Sequence, residues 1–290
     1  MKGPVVIGGI GGSGTRVVTS ILQVFNIFMG NDLNVPLDNL SYTLLFKRPK
    51  WYYKNRFNNN KINTGLSILE KSMTNKKFYS GNELLFLANA LKGMAKYGHN
   101  KEGDGKGKWA LERFNHLLFK RESDLSSYSA WGWKEPNSHL VLDNLTSYFK
   151  DLKYIHTIRY GLDMAFSPNQ QQFFNWAKLY GVDIPERMED VPAASFSYWV
   201  KANNRVVELQ RKIGSDKIYL LNFDELCINP EQEIIKLVEF LNIDVQRNEL
   251  ESAISIPKVP KTKDRYKENE ISKFKKEDLD FLFSLGYDIE

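Results

Sequence analysis

Short apolar runs alternate with helical repeats of apolar residues along the chain. The first run, 4–7, is a proline followed by three β-branched residues, which is typical of a buried parallel strand. Beyond a glycine-rich stretch, a helix is predicted to open at about Gly14. Its apolar residues recur at helical spacing: Val17, Val18, Ile21, Leu22 and Phe25. The chain therefore begins with a strand, a glycine loop and a helix.

Two later runs have the same character. Residues 153–158 (KYIHTI) and 217–222 (KIYLLN) read as strands, and helix-like sequence follows each of them. Alternation of strands and helices favours an α/β fold in which helices flank a central parallel sheet.

A long stretch rich in aromatic, Asn and Lys residues, 37–120, separates the first two of these strands. Apolar residues recur at helical spacing over 84–95 and 109–118, and the glycine-rich, charged segment 98–108 between them is expected to be mobile. We interpret 37–120 as a helical insertion beside the sheet, on the acceptor side of a single domain that spans 1–290.

Composition and cysteine usage are those of an ordinary soluble protein. Of the 290 residues, 42% are hydrophobic, and no apolar run approaches the roughly 20 residues that a membrane helix needs. The N-terminus lacks the pattern of a signal peptide. The single cysteine, Cys227, excludes an internal disulfide and a cysteine metal cluster. We expect a cytoplasmic protein that uses no metal.

The formal net charge of +5 is concentrated near the C-terminus. The segment from Lys258 to Lys276 has eight Lys or Arg residues against three acidic ones, so the rest of the chain is formally neutral. Such a segment suits an anionic ligand or nucleic acid, or is a solvated charged tail. Charge alone does not decide between these interpretations.

The loop GGIGGSGTR, Gly8 to Arg16, has five glycines in seven residues after a strand. Strand, glycine loop and helix together aim backbone N–H groups at an anion. Two of the glycines have the spacing of a Walker A loop, but Thr15 and Arg16 occupy the positions of its Lys-[Ser/Thr] pair. Three glycines also fit the G-x-G-x-x-G pattern nominally, and a plain structural turn is a further alternative.

This loop resembles the one that binds the 5′-phosphosulfate in sulfotransferases, [KR]-S-G-T-[TR] after a strand. Four residues match: Ser13, Gly14, Thr15 and Arg16. Gly12 stands where Lys or Arg is usual. The resemblance implies a P-loop-like three-layer fold in which the loop, from Gly11 onward, binds 3′-phosphoadenosine 5′-phosphosulfate (PAPS).

A second stretch, YIHTIRYGLDMAFS at 154–167, is similar to the family's 3′-phosphate motif, strand-R-x-x-x-D-x-x-x-S. Arg159, Asp163 and Ser167 match it, and the resemblance implies that Arg159 and Ser167 bind the 3′-phosphate. An arginine offers a planar charged fork that suits phosphate. The alternative is that Arg159 at the strand end simply pairs with Asp163.

A third stretch, 217–244, is similar to the family's late strand and the helix after it, with Phe223 in place of the usual tyrosine. Near the C-terminus, Arg265 and Tyr266 resemble a G-R-[YW] element. We expect the basic segment 257–276 to act as a lid whose contacts come from Lys261, Lys263 and Arg265.

A lysine between tryptophans, Lys134 in WGWKEP, is expensive to bury unless an anion neutralises it. It resembles the lysine of a K-x-P segment in the bacterial and tyrosylprotein-type branches. Lys134, and after it Arg16, are our candidates for the cation that Gly12 lacks. A surface ion pair of Lys134 with Glu135 or another carboxylate is the alternative.

Sulfuryl transfer also needs a base that takes the acceptor proton. Asp32 lies close to where the tyrosylprotein-type branch has a catalytic glutamate, so we choose it as the candidate base. Three other carboxylates compete with it: Asp38, Glu83 and Glu135. The alternative for Asp32 is an N-cap of the next segment.

The sequence thus predicts a PAPS-dependent sulfotransferase without a metal, transferring to a hydroxyl in preference to an amine. We expect a small-molecule, glycan or peptide acceptor, and neither nucleic acid nor membrane as a partner. One alternative is a P-loop kinase or nucleotide hydrolase, against which Thr15 and Arg16 argue. The other is a non-catalytic nucleotide- or glycan-binding relative.

Overall fold

A parallel β-sheet lies at the centre of the computed structural model, which describes residues 2–99, 105–121 and 124–289. Within these residues the sheet has five strands: β1 (Lys2–Gly9), β2 (Ile27–Phe28), β3 (Ala130–Lys134), β4 (Lys153–Ile158) and β5 (Ile218–Asn222). They pair in the order β2-β3-β1-β4-β5, and all four pairings are parallel. The predicted α/β fold with a central parallel sheet is confirmed.

Helices precede, connect and follow these strands. In chain order they are α1 (Thr15–Val24), α2 (Leu40–Phe46), α3 (Pro49–Asn55), α4 (Asn59–Met73), α5 (Gly81–Tyr97), α6 (Gly107–Phe119), α7 (Leu142–Tyr148), α8 (Gly161–Ala165), α9 (Gln171–Trp176), α10 (Val191–Ile213), α11 (Phe223–Ile228), α12 (Pro230–Leu241), α13 (Arg247–Ile254) and α14 (Lys276–Ser284). Short 3-10 helices include Pro136–Val141 and Arg265–Glu268.

Alternate residues of a strand point to opposite faces of the sheet, and helices cover both faces of β1, whose last six residues are buried. Val5 and Ile7 belong to a core shared with α1, α12 and α13. Val6 belongs to a larger core that includes Trp133 of β3, Tyr154 of β4 and apolar residues of α2 to α6 and α10. The result is three layers, helices, sheet and helices.

The predicted strands and the first helix are present, but two strands were missed. β4 has the predicted bounds, β1 and β5 differ from theirs by a few residues, and α1 begins at Thr15 after Gly14. The sequence analysis did not predict β2 or β3. Glycine weakens the strand signal of β3, yet Gly132 is needed there, because a Cβ on it would come within 1.7 Å of Val5 O.

The stretch 37–120 contains helices α2 to α6, and the two helical patterns identified in it fall in α5 and α6. Leu66, Leu87 and Met94 from these helices belong to the same core as Trp133 of β3. Of the segment predicted to be mobile, residues 100–104 lie outside the described residues.

Candidate active site

A cleft of about 740 Å³, here called the sheet-edge cleft, opens at the carboxyl ends of β1, β3 and β4. Its walls are the glycine loop after β1, the start of the segment after β3, Arg159 after β4, and residues from 256–261. Ligands of open parallel sheets bind at this edge, because the loops after neighbouring strands meet there. The cleft brings together most of the segments singled out in the sequence.

Two glycines of the loop have backbone conformations that other residues avoid. Gly12 has a φ of 96° and Gly14 a φ of 89°. Gly14 also lies against the ring of Phe223, the first residue of α11, and a Cβ on Gly14 would come within 2.1 Å of that ring. The phenylalanine that replaces the family's tyrosine therefore packs directly on the loop.

The start of α1 presents backbone N–H groups that have no acceptor. Four such groups find none among the described residues: those of Gly12, Gly14, Thr15 and Arg16. The N–H of Ser13 instead donates to Ile10 O at 3.0 Å, and its buried hydroxyl has no partner in the described part of the chain. Free N–H groups at a helix N-terminus, reinforced by the helix dipole, favour an anion.

Gln172 in α9 holds the loop in place. Its Nε2 donates to Asn137 Oδ1 at 2.9 Å and to Gly9 O at 3.3 Å, and its Oε1 accepts from the N–H of Gly11. The N–H of Gly11 is therefore already used within the chain. The sequence analysis missed Gln172 and Asn137, because neutral amides match no motif and these contacts join distant parts of the chain.

Positive charge dominates the sheet-edge cleft. Among the described residues that line it, six are cationic and one is a carboxylate. The cations are Arg16, Lys47, Lys134, Arg159, Lys258 and Lys261, and the carboxylate is Asp38. A cleft lined by charges of one sign concentrates ligands of the opposite sign, so this cleft suits a polyanion.

Lys134, the last residue of β3, lines this cleft although its side chain is only 2% exposed. Its Nζ donates to Asp38 Oδ1 at 2.5 Å and to Pro36 O at 2.8 Å. Burial lowers the pKa of Lys134, and the attraction of Asp38 opposes that shift. Of the carboxylate pairings weighed in the sequence analysis, the one with Glu135 is not formed among the described residues, and Lys134 pairs with another carboxylate, Asp38.

Asp38 and Asp32, two of the candidate bases, lie in different surroundings. Asp38 lines the cleft, and Asn34 orients it by donating from Nδ2 to Asp38 Oδ2 at 2.9 Å and by accepting the Asp38 N–H at 2.7 Å. Asp32 is not among the residues that line the cleft. It forms an ion pair with Arg113 of α6, with Nη2 and Oδ1 3.2 Å apart.

The other two candidates have structural partners. Glu135 is fully buried and caps the 3-10 helix after β3 by accepting the Asn137 N–H at 2.7 Å. Burial raises the pKa of Glu135, and Lys47, 3.6 Å away, opposes that shift. Glu83 belongs to the N-terminal capping box of α5 and pairs with Lys71 at 2.7 Å.

Arg159 extends from the end of β4 onto the glycine loop. Its Nη1 donates to Gly12 O at 3.3 Å and its Nη2 to Thr262 Oγ1 at 2.7 Å. No ion pair joins it to Asp163, although both residues are described. Asp163 instead accepts the N–H groups of Asp264 at 3.0 Å and Tyr266 at 3.3 Å, which fastens the basic segment beside Arg159.

The residues predicted around the 3′-phosphate do not all reach the cleft. Lys261 lines it, whereas Lys263, Arg265 and Ser167 are not among its lining residues. Arg265 donates from Nε to Thr262 O at 3.3 Å and from Nη1 to Phe166 O at 3.4 Å. Ser167 lies two residues beyond the end of α8.

The described residues contain neither a metal-binding cluster nor a helix that could span a membrane. No group of three or more His, Cys, Asp and Glu side chains there is placed to hold a metal ion. None of the helices in this part of the chain has both the length and the apolar character needed to span a membrane. Cys227 is half-buried, and burial raises the pKa of its thiol to about 11.

The fold and the cleft define the class of protein: an α/β protein with a P-loop-like fold and a cation-lined cleft at its sheet edge. The profile of the Sulfotransferase family matches residues 4–247, which is most of the chain. The chain belongs to the sulfotransferase family. A comparison with curated protein sequences gave no significant match.

The comparison with solved structures found sulfotransferases, and one with a TM-score above 0.5 shares the fold. The sulfotransferase domain from the curacin biosynthetic pathway has a TM-score of 0.54 at 15% identity, covering 100% of this chain and 99% of that chain. The sulfotransferase domain of the Synechococcus PCC 7002 olefin synthase has a TM-score of 0.48 at 13% identity, with 100% and 98% covered. A sulfotransferase of Mycobacterium tuberculosis H37Rv has a TM-score of 0.45 at 14% identity, covering 88% of this chain and 71% of that chain.

Proposed function

We propose that this protein transfers a sulfuryl group from PAPS to a hydroxyl group. The proposal rests on one observation: the four free N–H groups at the start of α1 border a cleft lined by six cations and one carboxylate. Membership of the sulfotransferase family suggests which anion this is. Asp38 and Lys47 bring the insertion to the cleft wall, so we place the acceptor on that side.

The residues present fit a ligand with two separate anionic groups. The loop, with Thr15 and Arg16, would hold the 5′-phosphosulfate end. Arg159, with Lys258 and Lys261 of the basic segment, would hold the 3′-phosphate, because these three cations line the cleft. The predicted role of Ser167 in that second site is retained as part of the proposal.

PAPS, when bound, supplies an activated sulfuryl group. Lys134 and Arg16 supply positive charge at the cleft, and preorganised charge of this kind stabilises negative charge that develops during group transfer. The fixed position of Lys134 follows from its burial and its two acceptors.

For the base we propose Asp38, because it is the carboxylate that lines the cleft among the described residues. Asn34 and Lys134 hold it in place, and its carboxylate would accept the proton of the acceptor hydroxyl. Asp32, the choice made from the sequence, pairs with Arg113 instead. Asp38→Asn should lower kcat by about 100-fold or more while binding of the donor product is retained.

Titration calorimetry with 3′-phosphoadenosine 5′-phosphate tests the donor site. Arg159→Ala should weaken binding by about 30-fold, since a charge-assisted hydrogen bond to phosphate is worth roughly 2 kcal/mol. Adenosine 5′-phosphate should bind more weakly than the bisphosphate and be insensitive to this substitution. Arg211→Ala, an exposed arginine in the last turn of α10, is the matched control and should change neither affinity.

Two outcomes would overturn the proposal. One is that the bisphosphate does not bind, or binds equally well to Arg159→Ala as judged on protein with normal unfolding. The other is magnesium-dependent turnover of ATP, which would favour the kinase or hydrolase alternative. Intact bisphosphate binding without transfer to a broad panel of phenols, sugars and peptides would favour a non-catalytic relative.

A further inference from the structure

Helices α3, α4 and α5 border a second cleft of about 730 Å³, here called the insertion cleft. Among the described residues, it shares no lining residue with the sheet-edge cleft. The two clefts are nevertheless neighbours along the chain, because Lys47 lines the first and Arg48 lines the second. The proposed function makes no use of the insertion cleft.

The insertion cleft contains a buried cation without a counter-ion. Arg48 is 5% exposed, and its guanidinium lies 4.2 Å from the centre of the Trp51 ring and 5.3 Å from that of Phe86. Nε and Nη2 both donate to Leu45 O, at 3.1 and 2.8 Å. Among the described residues, Nη1 has no acceptor and no carboxylate lies within 4.0 Å of Arg48.

Such a cation is costly in the absence of an anion. Stacking on Trp51 and Phe86 offsets part of the cost, but a buried charge without an ionic partner remains unfavourable. Burial lowers the pKa of Arg48 to about 9. The absence of a side chain on Gly93 keeps space beside Nη1, since even a Cβ there would come within 3.7 Å of it. An oxyanion that reaches Nη1 would complete the arginine's hydrogen bonds.

The rest of the lining extends the positive charge and adds polar groups. Lys50, Lys54 and Lys61 are exposed lining residues, and no described lining residue is acidic. Asn60, Asn82 and Asn89 are exposed there as well. Side-chain amides donate and accept hydrogen bonds, as the hydroxyl groups of a sugar do. A bare phosphate would leave most of these amides without a role.

Aromatic rings supply apolar surface in the same cleft. Trp51 is half-buried, and Tyr97 is exposed beneath Lys50, whose Nζ lies 4.2 Å from the ring centre. Ligand sites of this size commonly combine aromatic surface with a few polar groups that set orientation. Rings, amides and a set of cations together match a ring-shaped, hydroxylated and negatively charged ligand.

We propose that the insertion cleft binds an acidic saccharide, whose carboxylate or sulfate group is held by Arg48 and the neighbouring lysines. The asparagines would bind its hydroxyl groups, and Trp51 and Tyr97 would contact its apolar ring faces. This site is independent of PAPS binding, so its test does not depend on the proposed function.

Calorimetry of the intact protein at low salt, with a hyaluronan hexasaccharide as the probe, tests this site. We expect saturable binding that weakens as salt rises, and no binding of the neutral maltohexaose. Arg48→Met should weaken binding by about 30-fold, because it removes the buried charge partner. Since this variant can also fail to fold, Asn89→Asp is the second variant, expected to weaken binding by about 5-fold through repulsion.

The controls separate this site from the first. Asn248→Asp makes the same change at an exposed asparagine in α13 and should leave saccharide binding unaltered. Arg159→Ala should not affect saccharide binding, and Asn89→Asp should not affect binding of 3′-phosphoadenosine 5′-phosphate. Absence of hexasaccharide binding, equal binding by Asn89→Asp and wild type, or equal binding of maltohexaose would overturn the proposal. Binding of tripolyphosphate without hexasaccharide would do so as well, in favour of a phosphate site.

Discussion

Replacement of Gly14 by alanine is a direct perturbation of the glycine loop. Two separate costs follow from the structure. At a φ of 89°, an alanine is strained by about 1–2 kcal/mol relative to glycine. Its Cβ would also come within 2.1 Å of the Phe223 ring, which is 4% exposed and has little room to move. Displacing such a ring costs about 1–3 kcal/mol.

Gly14→Ala should therefore lower the free energy of unfolding by about 3 kcal/mol, or more than about 100-fold in the folded-to-unfolded ratio. Equilibrium unfolding in urea measures this change. Gly81→Ala is the matched control, because a Cβ at Gly81, the first residue of α5, meets nothing within 4 Å. The control should be neutral or stabilise the protein by up to about 1 kcal/mol.

A double-mutant cycle separates the two costs. In Phe223→Ala the ring is absent, so adding Gly14→Ala should cost only the backbone strain. The double variant should therefore be about 1–3 kcal/mol more stable than the sum of the single changes predicts. Additivity of the two changes, or a Gly14→Ala protein as stable as Gly81→Ala, would refute the reasoning that Phe223 restricts this position to glycine.

Three further predictions concern the surroundings of the site. Burial opposes ionisation of Glu83, but hydrogen bonds from Lys71, Ser67 and Ser80 outweigh it and lower the pKa of Glu83 from 4.5 to about 2. Ionised Glu83 therefore adds about 2 kcal/mol to the free energy of unfolding, after allowance for the solvent exposure of Lys71. This contribution is present above pH 4.5 and is lost as the pH falls through about 2. The stability difference between wild type and Glu83→Gln should shrink over that window, and a constant difference would contradict the assignment. Gln172→Ala leaves the N–H of Gly11 without a partner and removes one of the two hydrogen bonds to Asn137 Oδ1, which keeps the one from Trp176 Nε1. It should lower the free energy of unfolding by about 2 kcal/mol, against less than about 1 for Gln171→Ala, as measured by urea unfolding. Asp32→Asn should lower the free energy of unfolding by about 1 kcal/mol, and a double-mutant cycle with Arg113→Met should give a coupling energy of the same size. The substitution should leave kcat unchanged. A 100-fold loss of kcat would instead restore Asp32 as the base.

The strands predicted from the sequence differ in a physical way from β3, one of the two strands that were missed. β4 and β5 were predicted because apolar residues that favour strands make up half or more of each: Tyr154, Ile155 and Ile158 in β4, and Ile218, Tyr219, Leu220 and Leu221 in β5. In β3 the need for space overrides this pattern, since Gly132 must let the Val5 backbone approach. A requirement of this kind depends on the neighbouring strand and leaves no periodic signal in β3 itself.

The candidate site was predictable where charge and glycine spacing define it. The loop, Lys134 and Arg159 were singled out from the sequence, and the structure places all three on one cleft. Asp38 and Asp32 could not be separated, because they lie six residues apart and only the turn closed by Asn34 decides which of them faces the cleft. That turn depends on short-range hydrogen bonds that the sequence pattern does not specify.

Position 12 of the loop carries no cation, but cations from other segments line the same cleft. A Cβ at Gly12 would meet only Met164 Cε, at 3.9 Å, so space alone does not exclude a lysine there. The φ of 96° does disfavour it, and the carbonyl of Gly12 already accepts a hydrogen bond from Arg159. Positive charge next to the loop thus comes from the ends of the two strands that flank β1, with Lys134 on β3 and Arg159 after β4. Side chains anchored on a sheet are held more rigidly than one on a glycine loop, and preorganised charge costs less to use in group transfer. A lysine restored at position 12 would add charge at the expense of about 1–2 kcal/mol of backbone strain, and it would disturb the contact that Arg159 makes with the loop.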